Sequence, residues 1–194
     1  MYIYSFFTMF GHSKKNTNST HFIMKTKIFL TFLFGFLFSI TFLNAQNNSG
    51  IEKEIYAKNF IGQKAPDLAT EGWIIAPAKL NGKYVLVDLW ATWCGPCRKG
   101  IPELNEWHKK YSDKLVIIGI SDESKEKVLS MKTPVIEYAN GFDTQGRLKK
   151  ELQVRGIPHV ILINPEGYVV WQGFPKLPGF ELSAEVLEKM IGWK

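Results

Sequence analysis

Val85-Leu86-Val87-Asp88-Leu89-Trp90-Ala91-Thr92-Trp93-Cys94-Gly95-Pro96-Cys97-Arg98-Lys99 contains both cysteines of the 194-residue chain. Its first half is aliphatic, β-branched and aromatic, the composition of a buried strand, and the Asn81-Gly82 turn signal stands just before it. Its second half leads into apolar positions at Ile101, Leu104, His108 and Tyr111, a helical spacing over Pro96 to Tyr111. Two thiols two residues apart at a helix start stand about one turn from each other and can close a disulfide with little strain. At that start, unpaired amide N–H groups and the positive end of the helix dipole favour a thiolate, the species that attacks disulfides. Cys94 is therefore the expected nucleophile, and Cys97, one turn inward and less accessible, the expected resolving thiol. Pro96 in the first turn costs no hydrogen bond.

Other uses of the pair are weaker. A purely structural disulfide between such near neighbours closes too small a loop to stabilise much. A metal site needs further soft ligands, and downstream only His108 and His159 are at hand. A peroxidase of the peroxiredoxin kind wants a proline and a threonine at fixed offsets before its cysteine, whereas Ala91-Thr92-Trp93 stand here. Two cysteines also exclude a four-cysteine zinc site and a disulfide-stapled mini-fold.

Outward from the motif, strands and helices alternate. Leu115 to Ile120 reads as a second buried strand, and Ser121 to Met131 as a short helix starting near Ser124. Val135 to Tyr138 reads as a short strand, and Thr144 to Leu152 as a helix capped by Asp143 or Thr144. His159 to Ile163 is a third buried strand, joined through the Asn164-Pro165-Glu166-Gly167 turn to a hairpin arm at Tyr168 to Gln172. Ser183 to Ile191 closes the chain as a helix. This order implies an α/β fold with helices on both sides of a central mixed sheet, within one core of about 130 residues.

The charge is misleading at first sight. The chain carries a formal +6, but none of its 18 acidic residues lies before position 46, where four of its 24 basic residues do. Beyond position 45 the balance is 20 basic against 18 acidic side chains, which is no nucleic-acid footprint. The apolar run Ile28 to Leu43, with Lys25 and Lys27 before it and Ala45-Gln46 after it, has the design of a secretory signal peptide cut after Ala45. An uncleaved membrane anchor is the alternative. Met24 is the more natural start of translation. Residues 1–45 are thus expected to be a leader, 46–60 a linker and lead-in, and 61–194 the folded domain, placed in the periplasm or another extracytoplasmic space where disulfides persist.

The stretch Val85 to Lys99 resembles the active-site strand and helix of thioredoxin-fold proteins, and specifically the exported TlpA/ResA-like branch of thiol-disulfide oxidoreductases. Gly62-Gln63-Lys64-Ala65-Pro66-Asp67, Gly156-Ile157-Pro158 and the Asn164–Gly167 turn belong to the same likeness, which covers about residues 60–192 in order. The segment from about Ser124 to Leu152 resembles that branch's inserted helix and strand.

The resemblance implies a set of roles. Pro158 is the cis proline packed against the cysteines. Trp93, Ile157 with Pro158, and Gly173 form the groove for an extended partner segment. Asp88 is the buried acid that takes a proton from Cys97; alone, it also reads as a solvated strand-edge acid. The expected partners are disulfide-bonded proteins and a membrane electron donor, with the chain itself a monomer. No cofactor or metal is needed, because the electrons reside in two sulfurs. Gly119 stands where thioredoxin has a lysine near the acid, and Gly100 where many exported members have a glutamate. His159, next to Pro158, either tunes the thiols or is turned away by strand alternation.

Overall fold

The computed structural model describes residues 55–194, which lie within one unit, Lys53–Lys194. The leader expected over 1–45 and most of the lead-in lie outside the described residues. Six strands are hydrogen-bonded in the order β1-β4-β3-β2-β5-β6: β1 Gly72–Ile75, β2 Tyr84–Trp90, β3 Leu115–Ser121, β4 Ala139–Phe142, β5 His159–Ile163 and β6 Val169–Gly173. β2, β3 and β4 run parallel, while β1, β5 and β6 are antiparallel to their neighbours, so the sheet is mixed. The helices are α1 Gly95–Lys110, α2 Lys125–Ser130, α3 Arg147–Glu151 and α4 Ala184–Ile191. This is a thioredoxin-like fold.

β2 and β3 are central and covered on both faces, which is why they read as nearly unbroken apolar runs. Alternation divides β2 between two cores. Leu86 and Trp90 pack with Cys94, Cys97 and Ile101 of α1 and with Leu187 and Ile191 of α4. Val85, Val87 and Leu89 pack on the other face with Leu148, Leu152 and Phe60. In α1 the buried positions are Cys97, Ile101, Leu104 and Trp107, so Trp107 rather than His108 carries the stripe inward. Pro102 lies inside this helix.

Two elements differ from the sequence expectation. The strand expected at Val135–Tyr138 is instead Ala139–Phe142. The backbone of 135–137 is held by α1: Asn105 Nδ2 donates to the Val135 carbonyl at 2.8 Å, and its Oδ1 accepts from Glu137 N–H at 2.9 Å. The helix expected from Thr144 starts at Arg147, because Asp143–Gly146 forms a turn first, with Gly146 in the left-handed region (φ 58°). Asp143 still serves the helix start, accepting from Arg147 N–H at 2.6 Å. The edge strand β1 had no expectation at all. It pairs Gly72 with Phe142, and a Cβ at Gly72 would lie 2.8 Å from the tip of the Phe142 ring, which would have to shift to admit a side chain there.

The end of the lead-in is tied to the domain rather than loose. Arg155 N–H donates to the Tyr56 carbonyl, Lys58 N–H to the Leu152 carbonyl, and Phe60 N–H to Gln172 Oε1.

Candidate active site

Ala91-Thr92-Trp93 turn the chain from β2 into α1, and Cys94 is the N-cap of that helix with an extended backbone (φ −79°, ψ 99°). Cys94 and Cys97 are joined by a disulfide with Cα atoms 5.3 Å apart. The Cys97 N–H donates to Cys94 Sγ at 3.2 Å, so one of the helix's unpaired amides already points at that sulfur. Both cysteines are buried in this oxidised form, at 3% and 2% exposure. Exposure therefore does not distinguish them; position at the cap does. Trp93, beside Cys94, is 68% exposed.

The loop carrying the cysteines is anchored by a residue that the sequence reading missed. Glu123, just past β3, accepts from Thr92 N–H at 2.6 Å and from Thr92 Oγ1 at 2.8 Å. Since Trp90 pairs with Ser121 across the parallel strands, the C-terminal ends of β2 and β3 lie side by side, and an acid two residues beyond one reaches the loop of the other.

The Ile157–Pro158 peptide is cis and leads into β5, as Thr133–Pro134 is in the loop after α2. A cavity of about 400 Å³ lies beneath the motif, lined by Cys97, Asp88, Pro96, Ile157, Pro158 and Val160 on one side. Leu86, Leu182, Lys99, Gly100, Glu103, Leu104 and Trp107, together with Phe174 to Pro178, line the rest. The structure thus brings Cys97, Asp88, Ile157 and Pro158 around one space. Cys94 and Trp93 stand outside its lining, and Gly173 lies on β6 opposite Val160.

Asp88 is not a strand-edge acid. It sits in a central strand between Gly119 and Val160, at 2% exposure. Burial pushes its carboxyl up to about 7, the charged form being the one that loses solvent. Room for a side chain at Gly119 is tight. A Cβ on Gly119 would stand 3.1 Å from Trp90 Nε1 and 3.2 Å from Asn140 Oδ1, two atoms that are hydrogen-bonded to each other. At Gly100 a Cβ would meet nothing within 4 Å. One turn further, Glu103 in the cavity wall pairs with Lys176 at 2.5 Å.

His159 pairs in register with Leu89, which sets it on the sheet face opposite Asp88. Its Nε2 lies 3.2 Å from Gln172 Nε2, and its ring meets Phe174 edge-on. Alternation turns it away from the thiols. Tyr138, completely buried in the core that holds the cysteines, is a second residue the sequence reading passed over. Among the described residues, no group of three or more His, Cys, Asp or Glu side chains is placed to hold a metal ion, and no helix is long and apolar enough to cross a membrane.

Comparison with known proteins agrees with this geometry. The model of a thioredoxin-like family matches residues 81–169. The chain is 34% identical over 117 residues to the thiol-disulfide oxidoreductase ResA of Bacillus thuringiensis subsp. konkukian, spanning 57% of this chain and 67% of that protein. It is 42% identical over 87 residues to the thioredoxin-like protein YneN of Bacillus subtilis, spanning 42% and 48%. Among solved structures, the thioredoxin domain of a thiol-disulfide oxidoreductase from Bacteroides vulgatus is 26% identical, with a TM-score of 0.50. That match covers 64% of this chain and 99% of that one.

Proposed function

The chain belongs to the thioredoxin-like thiol-disulfide oxidoreductases, and from that footing we propose that it reduces disulfides of partner proteins outside the cytoplasm. The observation that carries the reading is the placement of Cys94 at the cap of α1, with the Cys97 N–H on its sulfur and Asp88 beside Cys97 in one cavity. The Cys94 thiolate attacks a partner disulfide. A Cys94–partner bond forms, the partner's S–S bond breaks, and the departing thiolate takes up a proton. Cys97 then gives its proton to Asp88 and attacks Cys94 Sγ, closing the Cys94–Cys97 disulfide and releasing the second partner thiol. Two electrons pass from the dithiol to the partner.

Trp93, Ile157 with Pro158, and Gly173 receive the partner as an extended segment. A membrane electron donor restores the dithiol. No cofactor enters these steps, and the chain works as a monomer. Export rests on the leader at 1–45, with residues 61–194 as the working domain; sequencing of the mature N-terminus should begin at Gln46, and retention of Lys25 on a membrane-bound species would show an anchor instead.

Insulin reduction tests the activity. The wild type should accelerate precipitation of reduced insulin, and the double variant Cys94→Ser, Cys97→Ser should not. Equal behaviour of the two would leave a binding module on the same fold. Cys97→Ser alone should accumulate mixed disulfides on Cys94 that dithiothreitol releases, whereas Cys94→Ser should accumulate none. Partners trapped on Cys97 in the Cys94→Ser protein would reverse the two roles.

A further inference from the structure

Arg155 stands three residues ahead of the cis Pro158, with its guanidinium carbon 6.0 Å from the centre of the Tyr56 ring. Tyr56 meets Phe174 edge-on at 5.6 Å, and Phe174 closes over Gly156, where a Cβ would stand 3.0 Å from the ring. Phe174 follows Gly173, and Gln172 before it donates to the Lys58 carbonyl and accepts from Phe60 N–H. Ile157–Pro158 and Gly173 are thereby both fastened to the segment 56–60. Beside that segment opens a cleft of about 820 Å³ walled by Lys58, Lys149, Lys150 and Arg155. Lys149 also shares the wall of a smaller pocket with Ile157, so the cleft adjoins the expected partner groove.

The charges along this border do not cancel. Asp122, the one carboxylate in the cleft wall among the described residues, is paired with Lys149 at 2.7 Å. Glu123 holds Thr92, and Glu103, across the motif, pairs with Lys176. Lys58, Lys150 and Arg155 are exposed and form no ion pair among the described residues. We propose that this cationic border selects the partner: the chain reduces disulfides flanked by acidic residues, whose carboxylates run past Arg155 and Lys150 while the disulfide meets Cys94. The proposal rests on the reading that Ile157, Pro158 and Gly173 receive the partner segment. Exposed ion pairs add little affinity, but unpaired charge of one sign beside a site speeds encounter with the opposite sign by about tenfold or more. Selection is therefore read in the rate.

Three two-cysteine peptides, closed as disulfides and alike except for Glu, Lys or Gln beside the cysteines, are reduced by the dithiol form of the full chain. Each rate constant is divided by that of dithiothreitol on the same peptide, which removes the peptide's own reactivity. The Glu peptide should react about tenfold faster than the Lys peptide at about 0.01 M salt, and the ratio should fall toward one at about 1 M. Reversing the charge with Lys150→Glu and Arg155→Glu together should bring the low-salt ratio to one or below. A variant that slows all three peptides alike and keeps the wild-type ratio overturns the proposal, because that is the mark of a merely structural role. Equal normalised rates in the wild type overturn it too, with the reductase reading left standing. Reduction of none of the peptides overturns the reductase reading and the proposal with it.

Discussion

Asp88 shows how much a neighbourhood adds to a residue. An acid inside Val85–Trp90 is conspicuous in the sequence, but two flanking strands and a helix decide that it loses its water. The consequence for stability has a definite sign. Its folded value of about 7 lies above the ordinary 3.8, so between those values the folded chain keeps a proton that the unfolded chain has released. The stabilisation this proton brings is complete below about pH 4 and fades as pH rises through about 7. Three units correspond to about 4 kcal/mol as an upper bound. Urea unfolding of the oxidised protein at pH 5 and pH 8 should show wild type losing stability across the interval, and Asp88→Asn losing much less. Equal losses in the two proteins would place the titrating group elsewhere.

At the scale of elements, tertiary hydrogen bonds moved what periodicity had placed. Val135–Tyr138 has the residue types of a strand, yet Asn105 on α1 captures its backbone, and the ladder with β3 begins only at Ala139. Those two bonds lie near the surface, so Asn105→Ala should cost about 1 kcal/mol in urea unfolding. Leu187 of α4 is wholly buried against the same core as the cysteines. Leu187→Ala should cost about 2–5 kcal/mol by the same measurement, since it leaves a cavity in packed surroundings. A loss for Asn105→Ala as large as that for Leu187→Ala would mean that the 135–137 backbone is a folding constraint rather than a surface tie. The closing helix itself follows its local signals, with Ser183 capping Val186 N–H and Gly192 ending it in the left-handed region.

For the molecule as a whole, the redox direction follows from what surrounds the Cys94 sulfur. Gly95, Pro96 and Ile157 bring no cation to it, and His159 lies on the far face of the sheet. Helix-end amides are then the main stabilisers of the thiolate, and the reduced form should not be strongly favoured. Equilibration with glutathione should put the potential nearer to thioredoxin's value of about −270 mV than to the strongly oxidising value of about −120 mV. The gap of about 150 mV is worth about 7 kcal/mol for two electrons, more than one distant charge supplies. A potential above about −180 mV would make the chain a dithiol oxidase instead.

The alternation of strands and helices, the burial of β2 and the cysteine pair at a helix start were all legible in the chain, because each is a local pattern of apolar spacing, turn residues and motif. β1 was not, since four residues at an edge carry too short a pattern and take their place from β4. Nor was Glu123, whose meaning depends on a partner 31 residues away across parallel strands. Parallel pairing joins segments through long crossovers, so which side chains meet at the ends of β2, β3 and β4 is settled only when the sheet assembles. The same assembly buries Asp88 in a central strand, an outcome that the strand pattern allows but sheet order decides.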